Sequence, residues 1–275
     1  MNELPALPLT IEGASVLHQM FRIRCAGWKR LPAGERAEII AEAAGTLAEF
    51  EGSGQMALYS VVGHKAELLL LHFRDSVEEL NRAELRLSRL RLQDYLRESS
   101  SYLSVVELGL YESTVKLYRE CAQQNIAPHS EEWNRAVEDL LGRQRQAMRP
   151  RLYPKIPEAR YLCFYPMDRR RGEIKNWYTL PIEERQRQMD EHGTVGRRYA
   201  GRVQQIISGS IGYDDWEWAV DLFGNDPVVF KKLIYEMRFD EVSAVYSNFG
   251  TFYLGVRCPA NGLGQLLEGV LPPTG

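Results

Sequence analysis

Five histidines occur in the chain, His18, His64, His72, His129 and His192, and the last stands in a setting that could do chemistry. His192 lies in RQMDEHGTVGRRYAG, and Gly193 directly after it removes bulk beside the imidazole, which lets a planar ligand approach. One neutral imidazole is enough for a metal already held inside a macrocycle, as in heme proteins. A hydrogen-bonded structural histidine fits the same spacing, so the motif alone leaves both open. Tyr165, in CFYPM, ends a strand-like run where Pro166 turns the chain. Such a tyrosine can hydrogen-bond a ligand, transfer a proton or be oxidised to a radical; it equally fits the half-buried aromatic that strands favour. Trp177 and Tyr178 in NWYTLP, and Trp216 and Trp218 in DDWEW, carry the same two readings. Arg151, Arg169, Arg170, Arg171, Lys175, Arg197, Arg198 and Arg238 gather in the second half. The planar guanidinium pairs bidentately with carboxylates, so this set suits a ligand with several of them. For Arg170, Arg171, Arg197 and Arg198, a solvated surface with local Glu partners is an equal explanation.

Other chemistries lose support. There is no HExxH helix, GxSxG elbow or P-loop, and SGSIG (208–212) sits in a hairpin that leads into no helix. The four cysteines, Cys25, Cys121, Cys163 and Cys258, stand far apart without a Cys-x-x-Cys pair. Cys25 and Cys163 lie in apolar runs, where a thiol behaves as a small buried hydrophobe. With 34 Lys+Arg against 37 Asp+Glu, the net charge of −3 lacks the basic excess of a dedicated nucleic-acid binder. No apolar run approaches the roughly 20 residues of a membrane span. MNELPALPLT shows no basic region followed by an apolar stretch. A reduced, cytoplasmic protein without nucleic-acid or membrane partners is expected.

The elements that must position these residues follow from periodicity. Strands are expected at Ser15–Cys25, Met56–Val62, Ala66–Phe73 and Ser101–Leu108, with helices at about Ala33–Phe50 and Ser76–Leu90, the latter capped by Asp75. The second half repeats the order: strands at Arg160–Met167, Val203–Ser210, Trp216–Phe223 and Gly250–Arg257, helices at Pro181–Tyr199 and Pro227–Phe239. Two β-α-β-β-α-β units make a duplicated ferredoxin-like α+β fold. Its antiparallel sheets join into one curved or barrel-like sheet with helices outside. The expected divisions are an N-terminal unit (1–108), a helical linker (109–150), a C-terminal unit (151–260) and a tail (261–275). The linker breaks at Gln123–Pro128 and restarts near Ser130.

The run YPMDRRRGEIKNWYTLPIEERQRQMDEHGTVGRRYAGRVQQIISGSIGYDDWEW, continuing through EMRFDEVSAVYSNFGTFYLG, closely resembles the coproheme decarboxylases of the chlorite dismutase-like superfamily. The likeness is strong from about Arg151 to Gly255 and weaker in the first half, at YSVVGHKAELLLL and SYLSVVEL. It implies coproheme III in the C-terminal unit as both cofactor and substrate, and hydrogen peroxide as oxidant. The product is heme b, made by converting two propionates to vinyl groups. By the same resemblance His192 is the axial iron ligand, Tyr165 the tyrosine oxidised to a radical, and Gln205 and Met167 distal-pocket residues. Arg151, Arg238 and Ser243 contact propionates, and Trp177 lies near the pocket. Arg169 stands where the family often has lysine; it keeps the charge but is a poor proton donor. A homopentamer and transient contact with a ferrochelatase are also implied. Two rivals remain: a chlorite dismutase or heme peroxidase, and a non-enzymatic heme carrier or sensor. The dismutase uses a distal arginine, which Arg202 would supply if the register differed.

Overall fold

The computed structural model describes residues 4–273. Met1–Glu3 and Thr274–Gly275, the ends of the N-terminal segment and of the expected tail, lie outside the described residues. The first half runs β1 (Thr10–Ile23), α1 (Cys25–Trp28), α2 (Ala33–Gly52), β2 (Met56–Val62), β3 (Leu68–Arg74), α3 (Val77–Leu87) and β4 (Leu96–Gly109). Two helices form the linker, α4 (Tyr111–Gln123) and α5 (Glu131–Leu152). The second half runs β5 (Tyr161–Arg169), α6 (Ile182–Arg197), β6 (Gln204–Gly209), β7 (Trp218–Gly224), α7 (Pro227–Met237), α8 (Glu241–Tyr246), β8 (Ser247–Phe249) and β9 (Tyr253–Cys258). The short helix α9 (Leu263–Leu267) ends it.

The strand order β7-β6-β4-β1-β3-β2-β9-β5, with β5 pairing back to β7, closes the antiparallel sheet into a barrel. Each half contributes the same arrangement, β4-β1-β3-β2 and β9-β5-β7-β6, which is the expected duplicated fold. One seam pairs β2 with β9 from Leu58↔Cys258 to Val62↔Leu254, whereas the other joins β4 to β6 only at Val105↔Gly209 and Val106↔Ser208. Val16, Met20, Tyr59, Leu71, Phe73, Phe164, Ile206 and Phe223 fill the barrel interior. Any ligand site must therefore lie outside the barrel, between the sheet and its helices. β3 (LLLLHFR) is buried throughout because both of its faces are covered, Leu69 and Leu71 by the barrel core and Leu68 and Leu70 by the helix layer.

Local signals explain most boundaries. Ser130 accepts from Trp133 N at 3.2 Å and opens α5, and Asp226 accepts from Val228 N at 2.9 Å with Pro227 at the first turn of α7. Three expectations change. The cap of α3 is Ser76, whose Oγ accepts from Glu79 N, rather than Asp75. Cys25 is exposed at the start of α1, since β1 ends at Ile23 before its thiol can face a core. The tail is not irregular at Leu263–Leu267, where α9 buries Leu263 completely against the first-half helix layer. Among the described residues, no helix is long and apolar enough to cross a membrane.

Candidate functional site

Three strands make the floor of the site. Across β5, β7 and β6 the pairing rows are Cys163–Leu222–Gln205, Tyr165–Val220–Ile207 and Met167–Trp218–Gly209. Alternation along a strand sends these to the helix side and sends Phe164, Asp221 and Ile206 to the barrel side. β5 and β6 lie two strand spacings apart, roughly 10 Å. Tyr165 and Gln205 therefore stand at opposite sides of a floor made by Val220 and Leu222.

Helix α6 lies over that floor. Arg185, Gln188, His192 and Gly196 share one face by their helical spacing. A Cβ at Gly196 would stand 4.0 Å from Gln205 Oε1 and 3.5 Å from Met237 Cε, so the face that carries His192 looks directly at Gln205. His192 Nδ1 is 2.8 Å from Asp240 Oδ2, and the other oxygen of Asp240 accepts Ser243 N–H at 2.7 Å as the cap of α8. Burial pushes the Asp240 carboxyl up, but the hydrogen bonds and charge of His192 and the bonds from Ser243 outweigh it and hold the group below its ordinary value. An imidazole that donates Nδ1–H to a carboxylate keeps the Nε2 lone pair for a metal. Ser243 Oγ lies 3.5 Å from the same Nδ1.

The arginines divide by burial. Arg169 is 9% exposed; its guanidinium bonds Ser247 Oγ, approaches Met189 Sδ at 3.5 Å and lies 5.0 Å over the buried Trp177 ring. Burial draws its pKa down, and Tyr111, Tyr178, Asp240 and Glu217 counter this. Arg238 stacks 3.8 Å above Phe249, whose ring is 5.9 Å from Tyr165. Tyr165 itself is 4% exposed and stacks on Phe252 at 4.5 Å. Burial pushes its phenol up, with Cys163 adding to this and Arg238 and Arg169 opposing it, so the group is held as O–H. Burial likewise pushes the Cys163 thiol up to about 12, which excludes a thiolate nucleophile there.

The structure thus brings together Tyr165, Met167, Arg169, Trp177, His192, Gln205, Arg238 and Ser243. Arg151 stands apart: it is exposed in the last turn of α5, and among the described residues no hydrogen bond, ion pair or ring contact joins it to the others. Arg202 is also outside, exposed in the turn after α6, with its guanidinium 4.7 Å over Tyr199. Sequence reasoning missed Asp240, Arg185 and Gln188. Helical spacing from His192 marks the last two; nothing local marks Asp240 as a histidine partner. Arg185 bonds Ala6 O, while its Nε and Gln188 Oε1 are buried without a partner among the described residues. An open cleft of about 490 Å³ between α6 and α7 ends on Asp240 behind His192, lined also by Thr194, Val195, Arg198 and Phe239.

Among the described residues, no cluster of three or more His, Cys, Asp or Glu could hold a bare metal ion. A single imidazole whose Nδ1 is engaged by Asp240, with the unpartnered Oε1 of Gln188 one helical turn away, suits a metal that arrives in its own macrocycle better than a bare ion.

The family model of chlorite dismutase matches residues 36–258. The chain belongs to the chlorite dismutase family. A protein of Haloquadratum walsbyi named for heme binding is 40% identical over a 279-position alignment, which covers 100% of this chain and 49% of that protein. The chain therefore spans about half the length of this curated relative. A heme-binding protein from Thermus thermophilus has a solved structure that superposes with a TM-score of 0.82 at 42% identity, covering 97% of this chain and 100% of the other. A mutant chlorite dismutase from Candidatus Nitrospira defluvii, solved with cyanide, superposes at 0.68 with 17% identity over 94% and 95% of the two chains. That likeness concerns the fold alone. In this chlorite dismutase family member the site floor, α6 and the α8 cap all lie in the second half of the barrel.

Proposed function

We propose that the protein binds coproheme III and, with hydrogen peroxide, decarboxylates two of its propionates to give heme b. The observation that carries this reading is the alignment of His192, oriented by Asp240, opposite Gln205, with the buried O–H of Tyr165 on the same floor and Arg169 beside it. The identity to two relatives named for heme binding supports the ligand class. When bound, the iron porphyrin supplies the oxidising equivalents drawn from peroxide. Each conversion balances as one propionate carboxylate, one peroxide and one proton giving one vinyl group, one carbon dioxide and two waters.

The chain's own residues have separable tasks. His192, with Nδ1 engaged by Asp240, would hold the iron through Nε2. Arg169, Arg238 and Ser243 fix propionates, and Arg151 closes on one from α5. Such clamping matters because hydrogen transfer needs near-contact geometry. Tyr165 would give up its hydrogen to one oxidising equivalent and then take one from the adjacent propionate side chain. That side chain would lose carbon dioxide as its remaining electron passes to the second equivalent drawn from the same peroxide. Gln205, Met167 and Met237 have unbranched chains that yield to a flat ligand, while Trp177 walls the pocket. We also propose a homo-oligomer, a pentamer, and transient delivery of coproheme by a ferrochelatase.

Gln205 on the floor and Arg202 turned outward favour this reading over chlorite dismutation, which uses a distal arginine. Mass spectrometry of the protein mixed anaerobically with coproheme III and titrated peroxide tests it. Two successive losses, each of one carbon dioxide and two hydrogens, are expected. The Tyr165→Phe variant should bind coproheme yet yield no vinyl product; vinyl formation by that variant would refute the tyrosyl route.

A further inference from the structure

Glu107 reaches the site floor from β4, the strand that the first half lends to the short seam. Its carboxylate sits over Gly209 of β6, where any side chain would collide with it. Its Oε1 accepts the indole N–H of Trp218 at 3.1 Å. Gly209 and Trp218 are cross-strand neighbours in the row that begins at Met167, beside the row of Tyr165. The carboxyl therefore lies on the ligand face, half-buried, and among the described residues no lysine or arginine forms an ion pair with it. The titratable groups around it are Glu12, its directly paired neighbour on β1, and Tyr111 at the start of α4. Like charges opposite one another on adjacent strands repel. Burial pushes the Glu107 carboxyl up and Glu12 adds to this, while the Trp218 indole offsets part.

We propose that Glu107 delivers protons into the ligand slot, a positioning and proton-transfer group contributed by the first half to a site otherwise built by the second. The inference rests on the decarboxylase reading, in which every propionate converted consumes one proton at the site. None of the other site groups suits that task. Guanidinium at Arg169 stays protonated, Gln205 does not titrate, and Asp240 is held as the partner of His192. A carboxylic acid between solvent and slot can be reloaded from water after each transfer.

The full-length chain provides the test. In Glu107→Gln the amide oxygen still accepts the Trp218 indole, so coproheme affinity should be unchanged while the titratable proton is gone. Vinyl formation should fall by about 100-fold at neutral pH, the lower end of general acid–base contributions, and Glu107→Asp should recover part of it. A second readout needs no ligand. Tryptophan fluorescence of the ligand-free chain should step with pH as Glu107 titrates beside Trp218, and the step should be missing from both E107Q and W218F. Equal rates and pH profiles in E107Q and wild type, or a fluorescence step that survives in E107Q, would overturn the assignment. Failure of the decarboxylase reading looks different: wild type itself forms no vinyl product, and the proton-delivery role falls with it.

Discussion

The orientation of the His192 imidazole depends on a carboxylate 48 residues away. Asp240 does two jobs at once, orienting the imidazole through Nδ1 and capping α8 through Ser243 N. Replacing it with alanine removes a helix cap, worth about 1 kcal/mol, and a hydrogen bond to a charged group, worth about 1.5–3 kcal/mol. A loss of about 2.5–4 kcal/mol at neutral pH is expected from these two contributions, read by urea unfolding. The sign with pH follows from the carboxyl being held below its ordinary 3.8. The unfolded chain binds its proton first as pH falls, so the stabilisation is present above 3.8 and is lost as pH drops through the lowered folded value. Wild type and Asp240→Ala should therefore converge in strong acid, apart from the cap; a gap that stays constant with pH would show that the ionised carboxylate contributes nothing. At this scale the sequence shows residue types and not partners. His192 and Tyr165 stand out by type and neighbours, whereas Asp240 and Glu107 gain their meaning from contacts across 48 and 111 residues.

Elements were more legible than residues because their signals are local. The caps at Ser130 and Asp226 and the break between α4 and α5 are all written in neighbouring positions. Where the signal is short or crowded with breakers, it fails. The segment ANGLGQLLEGVLPPTG has three glycines and two prolines before its final Thr-Gly and presents no periodic face, yet five of its residues form α9. What stabilises α9 is tertiary: Leu263 is 0% exposed among Ile39, Leu47, Leu58 and Cys258, the layer under α2. An isolated helix of that length is unstable in water, so packing has to hold it. Leu263→Ala should accordingly cost about 2–5 kcal/mol in urea unfolding while leaving the absorption spectrum of added coproheme unchanged. A cost below about 0.5 kcal/mol, the usual range for surface changes, would mean that α9 is a detachable tail.

Over the whole molecule, one fold written twice carries one site, and the difference between the copies is chemical. Beneath α2 and α3 the layer is lined by Phe21, Leu47, Leu58, Leu68, Leu70 and Leu87, a sealed apolar packing. Beneath α6 and α7 the equivalent layer holds Tyr165, Gln205, His192 and Met237, with arginines at its margins. The halves must close in one register for Glu107 of the first to reach the floor of the second, yet the β4–β6 seam has only two paired positions. Side chains reinforce it: Ser104 Oγ bonds Ser208 Oγ at 2.8 Å, and Asp214 accepts Leu103 N–H at 2.9 Å. Deeper in the barrel, His18 Nε2 meets Asp221 Oδ1 at 2.9 Å across 203 residues, with the imidazole stacked 3.9 Å from Phe164. The two side chains are 0% and 1% exposed, so neither can turn to water if the other is removed. Breaking a buried pair from one side costs about 3–5 kcal/mol, whereas replacing both members with apolar residues of similar volume is often neutral. His18→Leu alone should therefore destabilise the protein by about that amount, and His18→Leu/Asp221→Leu should recover most of the loss in a urea double-mutant cycle. The pair ties the two halves together, so the single variant should also weaken Glu107-dependent fluorescence by loosening the seam. Strictly additive energies in the cycle would show that His18 and Asp221 are independent packing residues rather than a latch between the copies.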